Sequence, residues 1–273
     1  MQILFVSAVL LYMLSAAGYF AYLFLQRERL QQVGSLLLVA GFACQSVGIG
    51  WAFIASGHVP VNNLHETLAM AAWTIVGVFL LLQVKFRLKI LGVYTAPLAV
   101  FILLAATQFP REPLQPQNLL KGVWLSMHIL TTFVGDAAFV LAAGVGMLYL
   151  IQEHNIKSKT RDFFFKRLPS LDLLDTTGYA CIVTGFTMLT IGLITGMIYA
   201  KIIWGHFWQW DAKEVWSAVT WIFYAVLLHE RLAVGWRGRR AAIMAVIGLG
   251  VLLFTFLGVN FLLSGHHGQF TQW

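Results

Sequence analysis

Long apolar runs separated by short polar segments dominate the chain. About eight of these runs reach the roughly 18 residues that an α-helix needs to cross the hydrocarbon core of a bilayer. The pattern therefore predicts an all-α polytopic integral membrane protein, built as a single membrane domain over residues 1–273. We predict the spans at residues 3–25, 33–55, 67–84, 90–108, 122–151, 174–200, 214–232 and 241–263.

Composition agrees with this pattern, because 59% of the residues are hydrophobic and only 11% are charged. A soluble globular domain carries about 25% charged residues, so that class is excluded. The first apolar run is longer than the core of a signal peptide, and we interpret it as a retained helix. The two cysteines, Cys44 and Cys181, stand alone inside apolar runs, a pattern that indicates neither a disulfide framework nor a thiolate metal site.

The charge distribution predicts how the chain lies in the lipid bilayer. The formal net charge is +7, but the basic residues fall in short loops and form no continuous face, so we expect no nucleic-acid partner. The loops after spans one, three, five and seven carry most of the 18 Lys and Arg residues. The positive-inside rule places these loops in the cytoplasm and both termini outside.

A tryptophan-rich segment between spans six and seven is predicted to face outward with this topology. We take residues 201–216 as this external segment, and it contains the stretch WGHFWQWDAKEVW. Tryptophan is enriched at membrane interfaces, so an aromatic belt explains part of the pattern. Indole rings could equally pack against a large apolar ligand, with their N–H groups and nearby lysines meeting its polar edges. Asp211 followed by Glu214 also forms a capping-box pattern at the start of span seven.

Histidines cluster on the same predicted side. His128 lies near the outer end of span five, while His266 and His267 follow span eight. Imidazoles from two helix ends could meet across a porphyrin, because iron in a porphyrin plane accepts two axial nitrogen ligands. His229 lies deeper, about fifteen residues into span seven, where both a ligand role and a snorkelling interfacial role stay open.

Other polar residues receive less specific interpretations. We expect Asp136, inside span five, to hydrogen bond to a neighbouring helix, with a role in proton relay as the alternative. His58 and His206 lie in predicted outer loops and His65 at the start of span three. We expect all three to be solvated or interfacial, with a role as a weak ligand as the alternative.

Several motifs resemble one family of cytochrome c biogenesis proteins. The stretch WGHFWQWDAKEVWS is similar to the WWD signature of haem-handling proteins, and its DAKEVWS ending is closest to the CcsA/ResC branch, or system II. The segments PVNNLHETL (60–68), LLHERLAVGWRGRRAA (227–242) and FTFLGVNFLLSGHH (254–267) resemble further segments of that branch. The resemblance runs from span two onward. The chain departs from the family pattern at His65, Ala212 and His266, where Tyr, Pro and Leu are usual.

The resemblance implies an external site for haem b whose floor is the WWD segment. By the same resemblance, His229 would ligate a second haem within the membrane. The other ligand of that haem would come from a partner subunit of the CcsB/ResB type. The doubled histidine at 266 and 267 leaves the choice of one ligand open, and the G-x-H spacing favours His267. The implied iron ligands are His128, His267 and His229, and the implied haem-contacting residues are Trp204, Trp208, Trp210, Asp211 and Trp216.

We therefore expect a role in cytochrome c maturation. Haem would be delivered to the outer face of the membrane and presented for thioether attachment to the CxxCH motif of apocytochrome c. Such a component of a holocytochrome c synthase would act by positioning haem, without a catalytic acid or nucleophile. The expected location is the inner or plasma membrane, or the thylakoid membrane in an organelle. Two alternatives are a dihaem cytochrome that oxidises quinol and a haem-free small-solute permease.

Overall fold

The computed structural model describes residues 2–110, 122–159, 163 and 166–259. These residues contain no strand, and eight of their helical segments are long and apolar enough to cross a membrane, which confirms the predicted fold class. A short 3₁₀ turn, Lys89–Leu91, precedes the fourth helix. The helices are α1 (Gln2–Leu25), α2 (Glu28–Ser56), α3 (Leu64–Phe86), α4 (Gly92–Ala106), α5 (Val123–Lys157), α6 (Leu171–Trp204), α7 (Ala212–His229) and α8 (Arg239–Leu253).

Several helices extend beyond the predicted apolar runs. The longest, α5, continues six residues past the predicted limit of 151 and ends at Lys157. A hydrophobic window cannot detect this last turn, because its residues are polar; an ion pair of 2.8 Å between Lys157 and Glu153 stabilises it instead. The eighth predicted span reaches 263, whereas α8 ends at Leu253 and continues as a π-helical turn over Phe254–Gly258. Residues 260–263 of that span lie outside the described residues.

Helix α5 lies at the centre of the second half of the bundle and contacts α3, α6 and α8. Small residues allow its backbone to approach α6 closely. A Cβ added at Gly135 would lie 3.0 Å from the Leu189 backbone nitrogen, and one at Gly185 would lie 2.5 Å from the Phe139 ring. Close approach through small residues is the usual packing mode of helices in lipid, where apolar burial gives little driving force. The α5–α6 pair therefore forms a rigid base for the side chains at its ends.

Helix α7 is packed much less completely than α5. Its residues Val219, Ile222 and Val226 are 39%, 54% and 50% exposed, and they share one face of the helix. Beyond its end, Arg231 donates two hydrogen bonds to the Asp175 carboxylate on α6, at 2.9 and 2.7 Å. This ion pair anchors the segment that joins α7 to α8.

Candidate functional site

A cavity of about 280 Å³ lies among α5, α6, α7 and the end of α8, beside the tryptophan-rich segment. Most of its wall is apolar, with side chains such as Leu125, Ile129 and Leu193. A few polar groups converge on it, as in most ligand sites of proteins. The polar side chains of the wall are Thr67, His128, Thr132, Asp136, Lys213, Glu214, Ser217, Thr220 and Thr255, together with three hydrogen-bonding aromatics, Tyr199, Trp204 and Trp208.

His128 is held in one orientation by α6. Its Nδ1–H donates a hydrogen bond of 2.7 Å to the carbonyl oxygen of Gly192. A neutral imidazole that carries its proton on Nδ1 has a lone pair on Nε2. The same arrangement, a backbone carbonyl behind the ring, orients metal-binding histidines and raises their basicity. His128 is therefore in the tautomer that coordinates a metal through Nε2.

Two glycines on α6 make room for this imidazole. A Cβ added at Gly196 would lie only 2.6 Å from His128 Nδ1, and one at Gly192 would lie 2.6 Å from the Thr132 hydroxyl oxygen. Thr132 in turn donates a hydrogen bond of 2.6 Å to the backbone carbonyl of His128. Sequence analysis did not identify these glycines. The available signal was their spacing of four residues, the small-xxx-small pattern of close helix contacts.

The tryptophan-rich segment is fixed at both ends. Gly205 ends α6 in the left-handed region, with φ of 81°, and Asp211 caps α7. The predicted capping box is present, because Glu214 Oε2 accepts the backbone N–H of Asp211 at 3.3 Å and also that of Gln209 at 2.8 Å. Trp210 adopts a positive φ of 60°, which turns the chain just before the cap. The end of α6 and the cap of α7 therefore define the backbone conformation at both ends of this segment.

The four tryptophans occupy different positions around the cavity. Trp204 and Trp208 line it, and the Trp208 Nε1–H is buried with no hydrogen-bond partner among the described residues. Trp210 is 80% exposed and packs edge-on against Trp208, with ring centroids 6.0 Å apart. Trp216 packs against the Phe254 ring at 4.4 Å. Trp210, Asp211 and Trp216 therefore surround the cavity wall without lining it.

Asp136 and Lys213 bring opposite charges to this cavity. Asp136, on α5, lines the cavity, and its hydrogen bond to a neighbouring helix stays a prediction. Its carboxylate faces the cavity and is attracted by the charge of Lys213 on α7. Sequence analysis placed Asp136 on the right helix but could not tell which neighbour its face would meet. A carboxylate and an ammonium in a membrane interior are functional candidates by default.

His229 lies at the far end of α7 and does not line the cavity. Its side chain is exposed, one turn beyond the exposed Val226. A π-helical turn, Glu230–Val234, follows it and is tied to α6 by the ion pair of Arg231 with Asp175. The histidine thus stands on an outward-facing, apolar surface of the bundle. His266 and His267 lie outside the described residues.

Two of the loop histidines differ from expectation. His58 and His65 are only 2% and 8% exposed, so the prediction that they are solvated was wrong. The Nδ1 of His58 contacts the carbonyl oxygen of Val59 at 3.0 Å, and that of His65 contacts the carbonyl oxygen of Ala106 at 2.8 Å. The second contact joins the start of α3 to the end of α4. His206 is exposed, as expected.

Comparison with known proteins places these features in a family context. Residues 61–267 match the family model described as cytochrome C assembly protein. The chain is 34% identical over 248 residues to a protein of Guillardia theta named cytochrome c biogenesis protein CcsA, with 82% of each chain covered. It is 32% identical to the protein of that name from Mesostigma viride, with 92% of this chain and 90% of the relative covered.

A solved structure shares the fold. The protein titled cytochrome c heme lyase CcmF superposes with a TM-score of 0.71 over 98% of this chain, at 13% sequence identity. The chain spans about half of that protein, because the match covers 48% of its length.

Proposed function

The chain belongs to the cytochrome c assembly protein family, and on this premise we propose that it delivers haem b to the outer face of the membrane. There the haem is presented for thioether attachment to the CxxCH motif of apocytochrome c. The observation that carries the proposal is His128, fixed by the Gly192 carbonyl with its Nε2 in the ligand tautomer, in the wall of an apolar cavity beside the tryptophan-rich segment.

The residues of the cavity suit a porphyrin in three respects. His128 would offer its Nε2 as a ligand to the iron. Trp204 and Trp208 supply aromatic faces for a large apolar ring, and the buried Trp208 Nε1–H needs an acceptor that a ligand can provide. The volume of about 280 Å³ lies just below the range of about 300–1,000 Å³ for ligand pockets, so a porphyrin bound there would keep part of its surface outside the cavity. His267, outside the described residues, is the proposed second axial ligand.

The chain's own residues act by positioning. The haem supplies the vinyl groups to which the cysteine thiols of the apocytochrome add. His128 orients the ligand, and the apolar wall keeps water away from it. Trp210, Asp211 and Trp216 hold the shape of the tryptophan-rich segment around it. Correct placement of two reacting groups can supply a large share of a rate enhancement, so the chain needs no acid or nucleophile of its own within a holocytochrome c synthase complex.

His229 marks a second, inner haem position in this proposal. Its side chain is exposed on the same helix as the apolar face of Val219, Ile222 and Val226. A haem iron bound there requires a second axial ligand from outside this bundle, and we assign that ligand to a membrane subunit of the CcsB/ResB type. Haem would pass from this inner position to the outer one at His128.

The chain is an integral membrane protein with eight membrane-length helices among its described residues. We propose that the tryptophan-rich segment faces outward, to the periplasm or the thylakoid lumen, because most basic residues lie in loops of the other side. Both termini then lie outside. The membrane is the inner or plasma membrane of a bacterium, or the thylakoid membrane of an organelle.

The test is haem content by absorption and pyridine haemochrome spectra of the full chain, purified with and without a co-expressed CcsB-like subunit. His128→Ala and His267→Ala should lose exchangeable haem and stop cytochrome c assembly, with His266→Ala as the matched control. His229→Ala should lose haem only when the partner is present. Full assembly in both His128→Ala and His267→Ala would refute the site.

The two alternative functions give different outcomes in the same preparation. Haem that cannot be exchanged and is reduced rapidly by quinol would indicate an electron-transfer cytochrome. Protein without haem under every condition would indicate a permease.

A further inference from the structure

A second cavity, which we call the α1–α3 cavity, lies among the first three helices and has a volume of about 190 Å³. An apolar cavity of about 150 Å³ can already hold a molecule as large as benzene, and water stays out of such cavities. The α1–α3 cavity is therefore large enough for an apolar ligand. The apolar part of its wall includes Leu4, Phe5, Ile49, Ala52, Pro60 and Ala69.

Polar side chains in this wall already have partners within the protein. Gln45 accepts a hydrogen bond from the Tyr12 hydroxyl and donates one to the Ala69 carbonyl oxygen, both at 2.8 Å. Glu66 accepts the backbone N–H of Asn62 at 2.8 Å. No Lys or Arg is among the described residues that line the cavity. The wall therefore favours an uncharged, apolar occupant over an acidic one such as a porphyrin carboxylate.

The parts of α1 and α2 that form this cavity also face lipid. Ile3, Trp51 and Ile54 lie there and are 81%, 65% and 80% exposed. Apolar side chains so exposed on membrane-length helices contact lipid tails. Gln2, in the wall itself, is exposed at the start of α1, so the cavity reaches the surface of the bundle. Acyl chains are thus the apolar molecules nearest to it.

The start of α3 separates the α1–α3 cavity from the cavity beside the tryptophan-rich segment. Pro60 and Glu66 line the α1–α3 cavity, whereas Val61 and Thr67 line the other one. Residues 60–67 therefore form a wall common to both cavities. A molecule that fills one cavity supports this wall by packing against it from behind.

We propose that the α1–α3 cavity binds one acyl chain of a membrane phospholipid, and that this chain supports the common wall at residues 60–67. The chain is apolar and uncharged, as the wall of the cavity requires. An empty cavity of this size would leave the atoms of its wall without packing contacts, which is destabilising. The bound chain completes the packing of α1 and α2 against α3. The inference goes beyond the proposed function and does not depend on it, because it involves no haem.

Gly48 allows the cavity to be filled by the protein itself. A Cβ added at Gly48 would meet only the Cβ of Leu4, at 3.8 Å, and Gly48 lines the cavity. Gly48→Phe should therefore place its ring where the acyl chain would lie. The matched control is Gly50→Phe on the same helix, because a Cβ at Gly50 meets nothing within 4 Å and Gly50 does not line the cavity.

Native mass spectrometry of the full chain, released from phosphatidylglycerol nanodiscs, tests the site. Wild type and Gly50→Phe should retain one phospholipid, and Gly48→Phe should lose it. Equal retention in wild type and Gly48→Phe, or no retained phospholipid in the wild type, would overturn the site. A co-purified isoprenoid quinone in place of the phospholipid would overturn the choice of ligand.

A photoactivatable diazirine on the acyl chain locates the lipid in the wild type, and this measurement does not depend on the folding of a variant. Crosslinks should form at Cys44 and Ile49, which line the cavity. Crosslinks only at Ile3 and Ile54 would mean that the lipid stays on the outer surface, and the site would be refuted.

Support of the common wall is measured by hydrogen exchange of the backbone amides at residues 64–69. Removal of phospholipid with cholate, a detergent without a long alkyl chain, should speed this exchange in wild type and in Gly50→Phe. Gly48→Phe should keep slow exchange, because its ring takes the place of the chain. Exchange that lipid removal leaves unchanged in the wild type, or speeds equally in all three proteins, would refute this support.

Discussion

Replacing Gly196 by alanine should weaken haem binding with little effect on the fold. The new Cβ would lie 2.6 Å from His128 Nδ1, about 0.8 Å closer than an ordinary contact, so the imidazole must move away. That movement breaks the hydrogen bond of 2.7 Å from His128 to the Gly192 carbonyl. This hydrogen bond fixes the tautomer of the imidazole. Loss of such an orienting partner typically costs about 10- to 100-fold in metal affinity.

Stability should change much less than affinity. An extra methyl group in a packed interior costs about 1–3 kcal/mol, and the lower end applies here because a side chain that faces a cavity can rotate out of the way. Alanine also favours a helix over glycine by about 1 kcal/mol, which offsets part of the cost. We therefore expect a small shift in the unfolding midpoint alongside a large loss of haem affinity.

The assay is a haem titration monitored by absorption, beside thermal unfolding of the same samples. Gly178→Ala on the same helix is the control, since its Cβ would make an ordinary contact of 3.6 Å with Val145. Exogenous imidazole should restore a low-spin spectrum in Gly196→Ala, as it should in His128→Gly. If Gly196→Ala binds haem as tightly as Gly178→Ala, the reasoning about His128 fails.

Three further changes test other parts of the structure. Arg231→Ala removes the ion pair with Asp175, whose two side chains are only 9% and 17% exposed. We expect the free energy of unfolding in a denaturant titration to fall by about 3 kcal/mol. An unchanged midpoint would contradict this. Glu214→Ala removes half of the capping box. We expect the free energy of unfolding to fall by about 1 kcal/mol and proteases to cut the tryptophan-rich segment faster. Cleavage at the wild-type rate would refute this role of Glu214. Gly146→Leu should disrupt packing of α5 on α8, because a Cβ there already lies 2.9 Å from the Ala242 carbonyl oxygen; wild-type thermal stability would exclude this.

Hydrophobicity predicts the membrane helices because residues in contact with lipid and residues in contact with other helices are both apolar. The same fact hides which face of each helix is internal. The position of Asp136 on α5 was therefore known, but its exposure to the cavity was not. His65 looked like a loop residue because its neighbours in the sequence are polar. Its ring is nevertheless buried, and its Nδ1 contacts the carbonyl oxygen of Ala106, forty-one residues away. By contrast, the cap at Asp211 was predictable, because a capping box is a local pattern.

The site combines a rigid wall with an adjustable one. His128 lies on α5 and is held by α6, two helices whose backbones touch through small residues. Trp204 and Trp208 belong instead to the end of α6 and to a short connection whose two ends are fixed by Gly205 and by the cap of α7. In the proposed function, a haem bound between these walls would find His128 held in place while the aromatic wall could move. This asymmetry would suit the proposed orientation and later release of haem, because release would then require movement of a short connection and leave the helix bundle intact.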